Sequence, residues 1–353
     1  MHLDEPSWWY GVEADTDPRV RLLRPLGHAY GWIAERRLLR TIPYRSSRQV
    51  ICVGNFTAGG TGKTPMSLLV AAEARARGLE PAFLTRGYGG SARSPFMVSR
   101  GRTTSAEAGD EPLILARTAP TAVAADRAAG ARLIEQQCPG TDVIIMDDGL
   151  QNGALAKDLA IAVVDGERGI GNGETIPAGP LRAPLGFQLD LVDAIVVNVP
   201  PEAETPNAIA EKLRRVFQGP VLEAHVSPSS DCGWLGGGPV VAFAGIGHPA
   251  RFFRTLAAAG ARIAAEKAFA DHHVFSESEA EHLLGLARFH DAMLVTTEKD
   301  MARLDGGGPR CRALAAAART LPIILRLDER DALRLGALLD GLVRGEKRGQ
   351  AAT

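Results

Sequence analysis

Apolar runs too short to be ordinary helices recur along the chain between residues 49 and 199. They are rich in β-branched residues, and an uninterrupted apolar run of this length is typical of a strand buried on both faces. The predicted strands are 49–53, 81–85, 121–124, 143–146, 160–164 and 194–199. The stretches predicted to be helical between them are 65–77, 112–119 and 126–137. This alternation predicts a parallel sheet covered by helices on both faces.

A second set of elements begins near residue 220, after a Gly- and Pro-rich stretch at 166–185 that we expect to be a long functional loop. The predicted strands of this set are 240–243, 293–296 and 322–326, and its predicted helices are 250–259, 278–290 and 328–343. We therefore expect a smaller α/β domain behind the larger one. The polar tail at 344–353 is predicted to be disordered.

The first 48 residues combine an apolar helical stripe with positive charge. Leu22, Leu26, Tyr30 and Ile33 recur at helical spacing, and the surrounding sequence is rich in arginine and nearly free of acids. One interpretation is a basic amphipathic helix in a bilayer interface, with arginines at anionic headgroups and tryptophans at the polar boundary. The other is a helix packed on the main domain with a solvated basic face.

Composition and charge narrow the class of protein. Of the 353 residues, 45% are hydrophobic and 23% charged, which suits a globular protein of about two domains. A formal net charge of -1 argues against a protein built to coat nucleic acid. The four cysteines are scattered, so neither a disulfide framework nor a zinc site is expected. No signal peptide is expected, and no transmembrane helix either, because no uncharged apolar run reaches about 18 residues.

A glycine-rich loop between a predicted strand and a predicted helix has the pattern of a phosphate-binding loop. Its residues are Thr57, Ala58, Gly59, Gly60, Thr61, Gly62, Lys63 and Thr64. Glycines let backbone N–H groups converge on phosphate oxygens, and the following helix points its positive end at the same anion. We expect Lys63 to reach the β- and γ-phosphates and the Thr64 hydroxyl to bind Mg²⁺. The alternative is a plain glycine-rich turn, since Thr57 stands where the strict motif has its first glycine.

A predicted buried strand ends in two acids, Asp147 and Asp148. In a parallel sheet the carboxyl ends of the strands meet at the edge where ligands bind, so we expect one of these carboxylates to bind Mg²⁺. The alternative is a turn that merely ends a strand. With this pair, the sequence predicts a P-loop NTPase-like domain at 49–218, a smaller α/β domain at 219–343 and an N-terminal amphipathic helical segment at 1–48.

Together with further motifs, these residues resemble the tetraacyldisaccharide 4'-kinase family, the lipid A 4'-kinases. The matching segments, in the family's order, are Gly54-Asn55 through Pro65, Thr85-Arg86-Gly87-Tyr88-Gly89-Gly90, Gly109-Asp110-Glu111-Pro112, Asp147-Asp148-Gly149-Leu150-Gln151, Pro177-Ala178-Gly179-Pro180-Leu181-Arg182, Phe243-Ala244-Gly245-Ile246-Gly247, Asp271-His272-His273 and Thr296-Thr297-Glu298-Lys299-Asp300. Each motif is weak alone, but the ordered set is specific. One position departs from the family pattern, because Ala183 stands where a glutamate commonly follows the Leu-Arg pair.

The resemblance implies transfer of the γ-phosphate of ATP, with Mg²⁺, to the 4'-hydroxyl of tetraacyldisaccharide 1-phosphate, a step of lipid A biosynthesis that forms lipid IVA. It implies that Asp110 acts as the base together with His272. Lys63, in the phosphate-binding loop, is the third candidate catalytic residue. From the residues alone, Asp110 could instead cap a helix, and His272 could lie in a solvated turn. Because the two belong to different predicted domains, their meeting implies that substrate or nucleotide closes the domains.

Two arginines are candidate substrate-binding residues. Arg182 follows the Gly- and Pro-rich loop, which suits close approach to a phosphate of ATP or to the sugar 1-phosphate, and Arg86 precedes a glycine-rich turn. From the residues alone, a plain surface arginine fits both positions equally well.

The resemblance also implies partners and a place in the cell. It implies an acylated glycolipid substrate and contact with the inner-membrane surface through the N-terminal helix. No nucleic-acid partner is expected, given the net charge. The resemblance implies a peripheral or monotopic position on the cytoplasmic face of that membrane in a Gram-negative bacterium.

The alternative function is a P-loop nucleotide switch or carrier that does not act on a lipid. The Asn-Lys-x-Asp motif of guanine-specific switches does not occur in the chain, and Ala58 stands where dimer-forming switch ATPases carry an additional lysine.

Overall fold

A computed structural model of the chain contains two sheets, with nine and four strands among the described residues. It describes residues 6–11, 17–200, 207–229 and 232–344 of the 353. From residue 345 on, the tail predicted to be disordered lies outside the described residues.

The strands and helices follow the apolar pattern of the sequence. The strands are β1 Gln49–Gly54, β2 Pro81–Thr85, β3 Phe96–Met97, β4 Thr121–Val123, β5 Val143–Asp147, β6 Leu159–Asp165, β7 Ala194–Val199, β8 Val221–Pro228, β9 Pro239–Ala244, β10 Arg262–Ala268, β11 Met293–Thr296, β12 Ala318–Thr320 and β13 Ile323–Leu327. The helices are α1 Pro18–Arg40, α2 Lys63–Ala76, α3 Ser105–Ala108, α4 Asp110–Leu115, α5 Arg127–Gln137, α6 Leu185–Asp190, α7 Ala208–Val216, α8 Pro249–Ala258, α9 Glu277–His290, α10 Glu298–Asp305, α11 Pro309–Ala317 and α12 Glu329–Val343. Every strand and helix predicted between residues 49 and 199 occurs, with ends that differ by a few residues.

The larger sheet has the strand order β13-β8-β7-β6-β1-β5-β2-β4-β3. Its strands pair in parallel except at the two edges, where β13 runs antiparallel to β8 and β3 runs antiparallel to β4. Strand β1 lies between β6 and β5, with Val53 opposite Asp147. The loop after β1 and the acids at the end of β5 are therefore neighbours at the carboxyl edge of the sheet.

Helices cover both faces of this sheet, which explains why its central strands are apolar along their whole length. Val70 of α2 and Leu339 of α12 belong to the core on one face. Ile134 of α5 and Leu213 of α7 belong to the core on the other. Local sequence sets the start of α5, because the Asp126 side chain accepts the N–H groups of the first turn.

The smaller sheet has the order β10-β9-β11-β12, and its strands are all parallel. Beyond the predicted boundary at residue 219, β8, β13 and α12 belong to the larger sheet and its core. The chain leaves the large sheet after β8 and returns to it antiparallel at β13. An apolar pattern indicates that a strand is buried, but it does not indicate which sheet the strand joins.

Helix α1 lies on the loop that we expected to be functional. Its buried face contains Gly27 and Gly31, where an added Cβ would lie 2.8 Å from the carbonyl oxygen of Thr175 and 3.2 Å from the ring of Pro184. The Thr175 hydroxyl donates a 2.6 Å hydrogen bond to the Gly27 carbonyl. Glycine thus permits the close approach of helix and loop. Among the described helices, none combines the length and apolar character needed to cross a membrane.

Candidate active site

The loop of residues 57–64, called here the phosphate loop, connects β1 to α2 at the centre of the large sheet. Gly62 caps α2 with a φ of 97°, a left-handed conformation that favours glycine, and an added Cβ there would lie 2.6 Å from Nδ2 of Asn198. Lys63 is buried, with its Nζ 3.4 Å from the Gly59 carbonyl oxygen. The N–H group of Ala58 donates to the Pro180 carbonyl at 2.8 Å. The N-terminus of α2 and the Lys63 ammonium group thus lie where an anion is favoured.

Asp147 ends β5 beside this loop and is fully buried. Its Oδ1 accepts a 3.0 Å hydrogen bond from the Ser67 hydroxyl, while Oδ2 is buried with no hydrogen-bond partner among the described residues. Burial raises the pKa of Asp147 to about 7, and the nearby charge of Glu111 adds to this rise against the opposing charge of Lys63. A buried carboxylate oxygen without a partner is costly unless a cation or donor meets it.

Asp148 occupies a different environment, although it is the next residue. Its φ of 52° lies in the left-handed region, which non-glycine residues rarely adopt. Its Oδ1 lies 2.7 Å from Nη1 of Arg182 and 3.9 Å from Nζ of Lys63. Burial alone would raise the pKa of Asp148, but Lys63 and Arg182 outweigh it and hold that pKa well below its usual value. Asp148 is therefore charged and already paired.

These residues fit a magnesium ion that shares its coordination with phosphates and water. The part of the chain that the structure describes contains no group of three or more His, Cys, Asp and Glu side chains able to hold a metal ion. Mg²⁺ commonly binds through one or two carboxylates together with substrate phosphates, so such a group is not required. The Oδ2 atom of Asp147 and the buried Thr64 hydroxyl are suitable ligands. Of the two predicted acids, Asp147 fits the metal better.

The two arginines predicted to bind substrate have different surroundings. Arg182 donates from Nε to the Thr57 carbonyl at 2.9 Å, in addition to its ion pair with Asp148. It therefore holds both the phosphate loop and Asp148 in place. Arg86 is exposed, at the turn after β2. Ala183, the position that departs from the family pattern, is fully buried next to Arg182.

A second group of charged side chains joins the two sheets. Asp110 is the first residue of α4, and its Oδ2 lies 3.5 Å from Nδ1 of His272 and 3.1 Å from Nε of Arg303. Asp110 and Arg303 are buried, and Nη2 of Arg303 donates to the same Oδ2. We call these three residues the Asp110 cluster. Asp110 and His272, which the sequence assigns to different predicted domains, meet in this arrangement.

The backbone around the Asp110 cluster is shaped to make these contacts. Gly109 has a φ of 86°, and an added Cβ there would collide with the carbonyl oxygen of Tyr88. His272 has a φ of 56°, a second left-handed non-glycine residue in the site. The rings of Tyr88 and His272 lie 5.1 Å apart. Strained backbone of this kind persists where the surrounding structure holds it, and it is concentrated at functional sites.

The charges of the cluster set its protonation states. Burial alone would raise the pKa of Asp110, but a hydrogen bond from His272 and the charges of Lys299 and Arg303 outweigh it and hold that pKa well below its usual value. Burial would lower the pKa of His272, but the hydrogen bond with Asp110 outweighs it, so the pKa of His272 is raised. Lys299 pairs with Glu111 at 2.6 Å beside the cluster. Asp110 is thus a carboxylate at any physiological pH.

A third set of contacts links the smaller sheet to the phosphate loop. Arg251 of α8 donates to Oδ2 of Asp165 at 3.0 Å and to Oδ1 of Asn198 at 2.8 Å. The Nδ2 group of Asn198 in turn donates to the Thr61 carbonyl at 3.1 Å. Because Arg251 occupies the amide oxygen of Asn198, the amide nitrogen must face the phosphate loop.

The sequence did not single out Arg303, Arg251 or Ser67. Arg303 follows Asp300 by three residues on α10, a spacing at which side chains of a helix meet, and the two form a 2.8 Å ion pair. That spacing is the one local signal for Arg303. Ser67 follows the phosphate loop by one helical turn, and nothing in its sequence context distinguishes it from an ordinary helix residue.

Comparisons with known proteins agree with this geometry. A family model described as tetraacyldisaccharide-1-P 4'-kinase matches residues 19–340. A protein named tetraacyldisaccharide 4'-kinase from Nitrobacter winogradskyi is 45% identical over 341 residues, which cover 96% of this chain and 98% of the relative. A protein of the same name from Methylobacterium nodulans is 47% identical over 341 residues, covering 96% of each chain. The resemblance inferred from the motifs is confirmed.

A solved structure has the same fold. The crystal structure of LpxK from Aquifex aeolicus, in complex with ATP, matches with a TM-score of 0.70 and covers 91% of this chain and 98% of that one. At 23% identity this likeness concerns the fold alone. It confirms the predicted α/β architecture, with a large mainly parallel sheet, covering helices and an N-terminal helix.

Proposed function

This chain belongs to the tetraacyldisaccharide-1-P 4'-kinase family, and on that premise we propose that it transfers the γ-phosphate of ATP to the 4'-hydroxyl of tetraacyldisaccharide 1-phosphate. The observation that carries the proposal is the pairing of two sites. The phosphate loop with Asp147 can hold a magnesium nucleotide, and the Asp110 cluster supplies a charged carboxylate, whose neighbour Glu111 is close enough to raise the pKa of Asp147. Phosphoryl transfer needs both a phosphate cradle and a group that orients the attacking hydroxyl.

The phosphate loop would bind and orient the triphosphate. Its N–H groups and the N-terminus of α2 favour the phosphate oxygens, and Lys63 adds a positive charge next to them. A magnesium ion held by Asp147 and Thr64 would neutralise charge on the β- and γ-phosphates. Arg182 holds the loop at Thr57 and keeps Asp148 neutralised, so that Asp148 does not repel the nucleotide.

Asp110 would orient the acceptor hydroxyl and take its proton. The hydroxyl oxygen forms the new bond to the γ-phosphorus while the bond to the β–γ bridging oxygen breaks, and ADP leaves with that electron pair. A carboxylate of low pKa is a weak base, which suits a loose transition state in which the proton leaves late. His272 and Arg303 keep Asp110 ionised and fix its position.

Helix α1 would hold the enzyme at the membrane that contains its substrate, at the cytoplasmic face of the inner membrane. Leu22, Leu26 and Ile33 are 78%, 60% and 58% exposed on one stripe, next to many arginines. An exposed apolar stripe flanked by basic residues fits the interface between headgroups and acyl chains. The opposite face of the helix packs on the loop at Thr175, so the proposal assigns the membrane to the exposed face and packing on the domain to the other.

The activity is tested by ATP-dependent phosphorylation of tetraacyldisaccharide 1-phosphate in mixed micelles, with the product located by mass spectrometry. We expect one added phosphate at the 4' position and release of ADP. If folded wild-type protein binds ATP with Mg²⁺ yet forms no product, the kinase proposal is wrong and a nucleotide switch or carrier is favoured. A comparison of ATP with GTP binding would then identify the class of switch.

Membrane contact is tested by placing charge in the stripe. The double substitution Leu26→Glu and Ile33→Glu should weaken sedimentation with anionic vesicles by roughly tenfold or more, because each buried apolar side chain contributes about 1.5–3 kcal/mol. Leu333→Glu is the matched control, since Leu333 is 70% exposed on α12. Equal binding of both variants would place the membrane contact elsewhere.

A further inference from the structure

Arg303 is a buried charged side chain that donates four hydrogen bonds, two of them to Asp110. Only 6% of it is exposed, and its guanidinium group reaches three different parts of the fold. Nε and Nη2 donate to Oδ2 of Asp110, and Nη1 donates to Oδ1 of Asp300 at 2.8 Å and to the Gly245 carbonyl at 2.6 Å. The side chain therefore joins α4 of the large sheet to the end of β9 in the small one.

Arg303 and His272 contact the same two groups, the Gly245 carbonyl and Oδ2 of Asp110. The backbone N–H of His272 donates to the Gly245 carbonyl at 3.1 Å, the oxygen that also accepts from Arg303. The imidazole of His272 and the guanidinium group of Arg303 both contact Oδ2 of Asp110. The position of Asp110 relative to His272 is thus set through one shared carbonyl and one shared carboxylate oxygen.

The two carboxylate oxygens of Asp110 consequently differ. A carboxylate oxygen has about two lone-pair directions, and Nε and Nη2 of Arg303 occupy both directions of Oδ2, with Nδ1 of His272 3.5 Å from the same atom. Oδ1 accepts the backbone N–H of Glu111 at 3.0 Å, which uses one of its directions. Oδ1 therefore has a direction left for the acceptor hydroxyl.

We propose that Arg303 is the positioning residue for Asp110, and that by engaging Oδ2 it leaves Oδ1 as the oxygen that receives the hydroxyl proton. This inference rests on the proposed role of Asp110 as the base. A guanidinium group suits the task because it is always charged and its fork of donors sets direction as well as charge. It also compensates Asp300, so that a second buried carboxylate does not disturb Asp110.

The test is a mutant cycle in the full-length enzyme, with single-turnover phosphorylation of tetraacyldisaccharide 1-phosphate as the readout. We expect Arg303→Ala to lower kcat roughly 100-fold, as a misplaced catalytic group does, while the affinity for ATP measured by calorimetry stays within about twofold. Because Arg303 acts through Asp110, adding Arg303→Ala to Asp110→Asn should lower the remaining rate by no more than about twofold. Guanidinium ions should partly restore Arg303→Ala, and Arg303→Lys should retain intermediate activity.

A matched control lies on the same seam between α4 and α10. Arg117 pairs with Glu298 at 3.0 Å but is 47% exposed, so Arg117→Ala should leave kcat within about twofold. If Arg303→Ala does not fold, Arg303→Lys alone and combined with Asp110→Asn gives the same cycle. Normal turnover by Asp110→Asn would refute the base assignment and this inference with it. A crippled Asp110→Asn enzyme that loses roughly another 100-fold on removal of Arg303 would overturn this inference alone.

Discussion

The phosphate loop and the Asp110 cluster are built in opposite ways. The phosphate loop is continuous in sequence, and its neighbour Asp147 arrives through the direct pairing of β1 with β5. In the Asp110 cluster, Asp110 comes from α4, His272 from the loop before α9, and Arg303 from α10. These elements belong to the regions of two different sheets. The first is a property of one strand–loop–helix unit, whereas the second exists only if the two sheets dock correctly.

This difference should separate nucleotide binding from turnover. A site held within one unit keeps its geometry as long as that unit folds. A cluster that spans two sheets depends on every contact across the seam, including contacts far from the reacting atoms. We therefore expect substitutions in the loop to affect ATP binding directly, and substitutions in the cluster to affect the chemical step.

The largest effect should come from Lys63→Ala. Loss of the ammonium group should lower kcat/KM for the glycolipid by roughly 10²–10³-fold, as expected when one stabiliser of developing charge is removed. Calorimetry should also show a much smaller heat of ATP binding. Unchanged turnover would contradict the assignment of residues 57–64 as the phosphate loop.

Asp110→Asn tests the Asp110 cluster in the same way that Lys63→Ala tests the phosphate loop. This variant has the same shape but no base, so it should retain the heat of ATP binding while turnover falls roughly 10²-fold. If Asp110→Asn and Lys63→Ala lose ATP binding equally, the separation of the two regions fails.

An intermediate effect should come from Arg251→Met, which breaks the chain of contacts through Asn198 to Thr61. Losing a charged donor should let the Asn198 amide turn, so that KM for ATP rises on the order of tenfold while kcat changes less. Arg254→Met is the control, since Arg254 on the same helix pairs with Glu167 at an exposed position. An equal effect of both substitutions would rule out a specific path to the phosphate loop.

The smallest effect should be a pH dependence of stability. The pKa of His272 is raised in the folded protein, so the protonated form is favoured there. The stabilisation by its pair with Asp110 is fully present below the ordinary value of about 6.5 and is lost as pH rises through the raised pKa. Urea unfolding at several pH values should show a greater loss of stability from pH 6 to pH 9 in the wild type than in His272→Gln. Parallel curves would mean that His272 does not titrate against Asp110.

The sequence predicts the features of this site that lie within one short segment, but not the contacts between segments that are distant in the chain. Strand β5, the two acids and the phosphate loop follow from apolar runs, glycines and a helix start, all within short segments. Arg303 and Arg251 could not be singled out, because Arg303 lies 193 residues from Asp110 and Arg251 lies 53 residues from Asn198. Contacts between positions so far apart in sequence form only when the two sheets dock. The pairing of β13 with the large sheet was missed for the same reason.

Other differences between expectation and structure have local causes. Strand β10 was not predicted because it lies at the edge of the small sheet and alternates exposed with half-buried positions. Arg182 was expected to face substrate, but a carboxylate and a backbone carbonyl lie within its reach. The roles assigned to Asp110, His272 and Lys63 stay predictions that the variants above test.

The close fit of α1 on the loop at Thr175 and Pro184 has a mechanical consequence. That loop continues to Pro180 and Arg182, which bond directly to Ala58 and Thr57. A continuous series of contacts therefore connects the helix with the apolar stripe to the phosphate loop. For an enzyme resting on a bilayer, these contacts would fix the height of a bound γ-phosphate above the lipid plane, so that encounters with the sugar become a two-dimensional search at constant depth.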